Sequence, residues 1–123
     1  MTYNKIKNIY DVLSNDSTLS SLANINVGWN LENIEYPCIN IIQAGGSEVG
    51  RLGYQSDNIV SEMFSIQLDI YSRSSIMEAY QIYDVINDIM ISSGYQKTTD
   101  SDMYDDELNT HRKVTRWSIN TID

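Results

Sequence analysis

The sequence predicts an α+β domain. An antiparallel or mixed sheet packs against a long helix and an N-terminal helix, and a glycine-rich hairpin arm protrudes from it. Three observations carry this reading. Phe64, Ile66, Leu68 and Ile70 alternate with Ser65, Gln67, Asp69 and Tyr71, the period-2 pattern of a strand with one buried face. Directly after it, Ile76, Ala79, Ile82, Tyr83, Ile86, Ile89 and Met90 trace one face at helical spacing. Apolar, β-prone runs flank this pair on both sides, so helices are segregated between runs of strand. The chain has 123 residues, which matches a single domain over 1–123 with one core and no need of disulfide or metal staples.

The elements follow in order. Tyr3, Ile6, Ile9, Tyr10 and Leu13 recur at helical spacing and predict a helix over 3–14. Asn15, Asp16 and Ser17 break it, and Asp16 or Ser17 can cap a short helical turn through Leu22. Ile25–Trp29 is short and β-prone, and a polar loop follows over 30–36. Pro37 opens a strand over Cys38–Gln43, whose apolar run predicts a position at the sheet centre. Ala44–Asn58 holds four of the six glycines and reads as the arm between two strands. The long strand then spans Ile59–Tyr71. Ser74 or Ser75 caps the long helix, with Glu78 at the third helical position, and Gly94 suits its left-handed end. A short strand over Tyr95–Asp100, an acidic turn over Asp100–Asn109 and a final strand over His111–Asp123 complete the chain. In that last strand Trp117 and Ile119 share a face, and Arg112, Lys113 and Arg116 stand ready to pair with the acidic turn.

Charge narrows the function classes. The net charge is -9, from 17 acidic and 8 basic residues. So acidic a chain lacks the cations to hold nucleic-acid phosphates over a broad surface. It remains suited to a passage that DNA slides through, where repulsion prevents sticking. Cys38 is the only cysteine, so no intramolecular disulfide forms and a reducing compartment is expected. The first residues, MTYNKIKNIYDVL, lack the apolar stretch of a signal peptide, and no apolar run nears the roughly 20 residues that span a bilayer. Assembly in a cytosol, with no membrane partner, is the expectation.

Little points to catalysis. A Cys–His dyad needs both side chains within hydrogen-bond reach, and Cys38 in an apolar strand reads as a small buried hydrophobe. His111 reads as a surface side chain. One histidine and one cysteine cannot make the usual three- or four-ligand N/S metal site. The acidic residues Asp100, Asp102, Asp105, Asp106 and Glu107 read as a solvated surface loop. They miss the EF-hand pattern, because Tyr104 stands where a ligand belongs and Asp105 where the turn glycine belongs. The Gly45–Arg51 stretch is neither a Walker loop nor a dinucleotide fingerprint, since no Gly-Lys-Ser/Thr is present and a strand follows it. No cofactor is expected. Arg51, Leu52 and Tyr54 on the arm, and Tyr71 on the polar side of the long strand, are of the types that anchor interfaces. Nine tyrosines and two tryptophans are many for one small core and hint at surface buried between subunits.

The layout has a family likeness. A helix of the type IYDVLSNDSTLSSLA, a strand opening at YPCINI, a long arm, then FSIQLDIYSRS, EAYQIYDVINDIMISSGY and an acidic hairpin ending in RKVTRWSI resemble the tail terminator, or tail completion, proteins of long-tailed bacteriophages. The likeness covers nearly the whole chain and rests on layout, with the Leu68–Ser72 strand end and the following helix its most telling pieces. It implies a structural virion protein with no enzymatic activity. Such a protein forms a homo-oligomeric ring, hexameric in the family, that caps the tail tube protein and meets the head–neck connector while DNA passes through its lumen. The family supplies no individual functional residue. A head–tail stopper or another neck protein is the alternative within phage assembly. A small ligand-binding or enzymatic α+β domain is the alternative outside it.

Overall fold

The structure is a computed structural model and describes residues 2–28, 34–47 and 61–122. Its elements are α1 (Thr2–Asn15), α2 (Ser17–Leu22), β1 (Asn24–Val27), β2 (Cys38–Ser47), β3 (Ser61–Ser72), α3 (Ile76–Ser92), β4 (Gln96–Asp105) and β5 (Thr110–Ile122). The strands form one sheet in the order β1-β2-β3-β5-β4. β1 runs parallel to β2, and the other three pairings are antiparallel. The sheet is therefore mixed and the fold is α+β. No helix among the described residues is long and apolar enough to cross a membrane.

The alternation in β3 decides the layering. Phe64, Ile66, Leu68 and Ile70 are buried against Ala79, Ile82, Ile86 and Met90 of α3, together with Ile9 and Leu13 of α1 and Leu19 of α2. Ile39 and Ile41 of β2 and Trp117 of β5 extend this core sideways, because register sets Ile39 opposite Ile70, Ile41 opposite Leu68 and Trp117 opposite Ile66. Fully burying each such aliphatic side chain contributes about 1.5–3 kcal/mol. One polar chain threads the core. Trp117 Nε1 donates to Thr115 Oγ1 at 2.9 Å, and Thr115 Oγ1 donates to the Leu68 carbonyl at 2.9 Å. The indole is thereby buried without leaving its N–H unpaired.

The caps follow the sequence signals. Asp16 accepts from the Leu19 amide at 2.9 Å at the start of α2, and Ser75 accepts from the Glu78 amide at 3.1 Å at the start of α3. The Glu78 carboxylate accepts from the hydroxyls of Ser72, at 2.6 Å, and Ser74, at 3.0 Å, which ties the end of β3 to the first turn of α3. At the other end Tyr95 N–H reaches the Met90 carbonyl and Gly94 N–H the Ile91 carbonyl, both at 3.0 Å, with Gly94 at φ +93°. This is a Schellman closure, and it needs a residue without a Cβ.

Two expectations are corrected. The predicted arm begins too early: β2 continues to Ser47, with Gly45 opposite Ser65 and Gly46 opposite Phe64, after a register shift between Gln43 and Gly45. Ladder hydrogen bonds come from the backbone, so the glycines stay in the strand and the irregularity absorbs the misfit. The rest of the expected arm, 48–58, lies outside the described residues. The predicted acidic loop is mostly strand. β4 runs through Asp105, so Asp100, Asp102 and Asp105 belong to it, and the turn is confined to 106–109 with Asp106 and Glu107. Charged residues fit an edge strand, where both side-chain faces meet water.

The core assignment has a direct check. Ile86→Ala, at a fully buried position, is expected to lower the unfolding free energy in urea by about 2–5 kcal/mol. Ile91→Ala, on the same helix but 55% exposed, is expected to change it by less than about 0.5 kcal/mol. Equal losses at the two sites would contradict the helix orientation.

Candidate functional site

The helices cover one face of the sheet. On the other face β3 presents Gln67, Asp69 and Tyr71, and register places Arg116, Val114 and Arg112 of β5 opposite them. Asp69 is fully buried there. Its carboxylate accepts from Arg112 Nη2 at 2.7 Å, Gln67 Nε2 at 2.9 Å and the Tyr71 hydroxyl at 3.4 Å. Arg116 Nε donates to Gln67 Oε1 at 2.9 Å, which extends the chain along β5. The Arg112 guanidinium also lies 5.7 Å from the Tyr71 ring centroid. Burial, and after it the neighbouring Asp69 charge, push the Tyr71 hydroxyl up to about 12. Farther along the same face Asn26 Nδ2 donates to Asn40 Oδ1 at 2.9 Å. The buried Asn40 Nδ2 and Arg112 Nε have no hydrogen-bond partner among the described residues.

This arrangement assigns Tyr71 a different place from the one expected. It is 5% exposed and turned to Asp69, so it braces the sheet from within the chain. Arg51, Leu52 and Tyr54 lie outside the described residues.

A second cluster sits on the helix side, where β4 passes α3. Lys113, with 6% of its side chain exposed, donates to Asp100 at 2.5 Å and to Asp102 at 3.0 Å. Lys97 donates to Asp100 at 2.7 Å and to the Tyr83 hydroxyl at 2.5 Å. The register shift between Lys97 and Thr99 lets this i,i+3 pair meet on one side of the strand. The Tyr80 hydroxyl donates to Asp102. The Lys113 ammonium lies 4.9 Å from the Tyr80 ring centroid and 4.8 Å from that of Tyr83. Tyr80 and Tyr83, three apart on α3, thus reach β4, Tyr80 at the Asp102 carboxylate and Tyr83 at the Lys97 ammonium.

The electrostatics are those of a neutralised ion cluster. Burial raises the Asp100 pKa, but hydrogen bonds from Lys113 and Lys97 outweigh it and hold the carboxyl below its ordinary value. Asp102 is lowered by the Tyr80 hydroxyl, against burial, with Lys113 adding to the effect. Burial works against the charge of Lys113, and its two carboxylate partners overcome this and raise it. Asp100 and Asp102 are thus engaged by ammonium groups of their own chain. No group of three or more potential metal ligands is found among the described residues.

The third feature is the β4–β5 hairpin tip. Asp105 Oδ1 accepts from the amides of Glu107 at 3.0 Å and Leu108 at 3.2 Å, and Asn109 takes a left-handed φ of 50°. The Tyr104 and His111 rings meet at a tilt of 59° with centroids 4.9 Å apart, and the Tyr104 hydroxyl donates to Asn109 Oδ1 at 3.3 Å. Met103, Tyr104 and Leu108 nonetheless remain exposed, beside Asp105, Asp106 and Glu107.

Cys38 and His111 do not meet. They lie on β2 and β5, with β3 between them, two strand spacings or about 10 Å apart. Burial also pushes the Cys38 thiol up to about 11, which suppresses the thiolate. No protein-family model matches the chain, and no curated protein matches it.

Two groupings were hidden from sequence reasoning: Asp69 with Arg112, and Tyr80 and Tyr83 with the Asp102, Lys97 and Lys113 groups. A carboxylate in mid-strand on the polar side of a central strand was the available signal for the first. Such a residue needs a cation on a neighbouring strand.

The Asp69–Arg112 pair is expected to be costly to break singly. Arg112→Ala should lower the unfolding free energy by about 2–4 kcal/mol, below the full range for buried pairs because Arg112 is 26% exposed. The double change Asp69→Asn with Arg112→Met should recover part of that loss, and a double variant worse than the sum of the singles would contradict the pairing.

The β4 cluster predicts a pH dependence. Asp100 and Asp102 have folded pKa values below their ordinary 3.8, so their contribution is complete above 3.8 and is lost as pH falls through the lower folded values. Lys113 and Lys97 are raised above 10.5, so theirs is complete below 10.5 and is lost as pH rises through the higher folded values. An Asp100→Asn, Asp102→Asn variant, followed by urea midpoints between pH 5 and 2, should lose less stability on acidification than the parent. An unchanged slope would contradict the assignment.

Proposed function

We propose that this chain is a structural subunit of a phage tail-terminator ring, one that closes the end of the tail tube, meets the head–neck connector and lets DNA pass through its lumen. The order of elements supports the reading: a helix, a short strand, a strand opening beside a proline, a long strand, a long helix and an acidic hairpin follow the layout of that family. The observation that carries it is the asymmetry of the sheet. One edge is β1, four residues long, and the other is β4, ten residues long and exposed along its whole length.

Rings need two different surfaces on each subunit, because only heterologous contacts propagate around an axis. Two unlike sheet edges supply two such surfaces. The balance of charge supports a lumen that DNA traverses without sticking, since the net charge is -9 and α3 carries Glu78, Asp84 and Asp88 with no basic residue. In this reading the described polar clusters are scaffolding, and the subunit turns over no substrate.

Electron microscopy of the full chain mixed with purified tail tubes tests the proposal. Rings, or discrete caps at tube ends, are the expected result, with six-fold symmetry as the family likeness implies. A protein that leaves tube ends bare and forms no ring at high concentration would overturn it. A large saturable thermal shift with nucleotides or small metabolites would count for a ligand-binding domain instead.

A further inference from the structure

We infer that the β4–β5 hairpin tip of one subunit docks into the cleft between α1 and β1 of a second copy of this chain. The inference rests on the ring reading above and names the contact that would build the ring. It begins from two exposed apolar features that the core does not use. The first is the hairpin tip, with Met103, Tyr104 and Leu108 exposed around a turn held by its own hydrogen bonds. The second is a cleft of about 290 Å³ lined, among the described residues, by Ile6, Lys7, Tyr10 and Val27. Tyr10 and Val27 are themselves exposed there.

The two features share exposed apolar side chains and differ in charge. The tip carries Asp105, Asp106 and Glu107, a charge of -3. Helix α1, which forms one wall of the cleft, carries Lys5 and Lys7 against Asp11, a charge of +1. In a chain of net charge -9 a positive element is uncommon. On β5, Arg112 and Lys113 are engaged by Asp69, Asp100 and Asp102 of their own chain, while Arg116 is exposed beside Gln67. Lys7 pairs with Asp11 in an exposed i,i+4 bridge at the cleft wall.

Position selects a second copy as the occupant. The tip extends from the β4 edge and the cleft lies at the β1 edge, so they stand at opposite sides of the sheet, about 19 Å apart by strand spacing. One chain cannot join its own tip to its own cleft. Between copies the contact is heterologous, tip to cleft and tip to cleft again, the kind that closes into a ring when the rotation allows. The hydrogen-bonded turn presents the tip already ordered, which lowers the entropy cost of docking.

Two experiments on the full chain test this. In the first, the double variant Tyr10→Cys, Leu108→Cys is treated with a short bismaleimide. The buried Cys38 does not compete. A ladder of covalent oligomers beyond the dimer is expected, while each single variant stops at the dimer. In the second, Tyr10→Asp and Leu108→Asp are each expected to weaken self-association at least tenfold in sedimentation. Their equimolar mixture should form a one-to-one dimer, since one intact tip and one intact cleft remain. Cross-linking of the double variant no greater than that of the singles, or blocked variants that assemble like the parent, would overturn the contact. If rings cap tail tubes while these variants behave like the parent, the terminator reading stands and the contact is wrong. If the ladder forms while tube ends stay bare, the contact stands and the terminator reading falls.

Discussion

Strand β3 is buried on both faces, and each face makes a different demand. Toward the helices it offers Phe64, Ile66, Leu68 and Ile70, which need only apolar partners of fitting size. Away from them it offers Gln67, Asp69 and Tyr71, and the fully buried Asp69 carboxylate must be met by a cation. Arg112 meets it from β5. A slip of β5 by one residue would put Val114 or Lys113 on the wrong face and would strand Asp69 without its partner. The pair therefore locks the register of the β3–β5 ladder, and that ladder in turn sets where Trp117 enters the core and where β4 lies.

The outer strand inherits its geometry from that register. Because Lys113 falls opposite Ile70, it points to the helix side, and from there it collects Asp100 and Asp102 from β4. Tyr80 and Tyr83 of α3 close over the same ammonium group. The charged groups nearest the sheet are thus matched within the chain, in arrangements that stabilise the fold. The features with no role in the core are the long β4 edge, the hairpin tip beyond it and the cleft beside β1. The proposed function draws on these peripheral features.

Much of the fold was legible because its signals were periodic and long. The alternation in β3 and the helical spacing in α3 needed no tertiary knowledge, and the Asp16, Ser75 and Gly94 signals sit where the helices begin and end. Less legible were features decided by neighbours. Gly45 and Gly46 look like loop residues, yet backbone pairing with β3 holds them in β2. The D-S-D-M-Y-D run looks like a turn because it is charged, whereas an edge strand tolerates charge on both faces. Tyr71 looked available for a partner, and its burial follows from Asp69 and Arg112, residues whose proximity only the fold creates. The parallel pairing of β1 with β2 could not be read from four residues, NINV, which carry no direction of their own.

In the proposed reading, subunits associate through two different surfaces. Native mass spectrometry of the full chain over a concentration series tests it most directly. Monomer is expected to give way to one closed species of more than two subunits, with few intermediates, as heterologous contacts close a ring. A symmetric dimer that persists as the end state, or a monomer at every concentration, would contradict it.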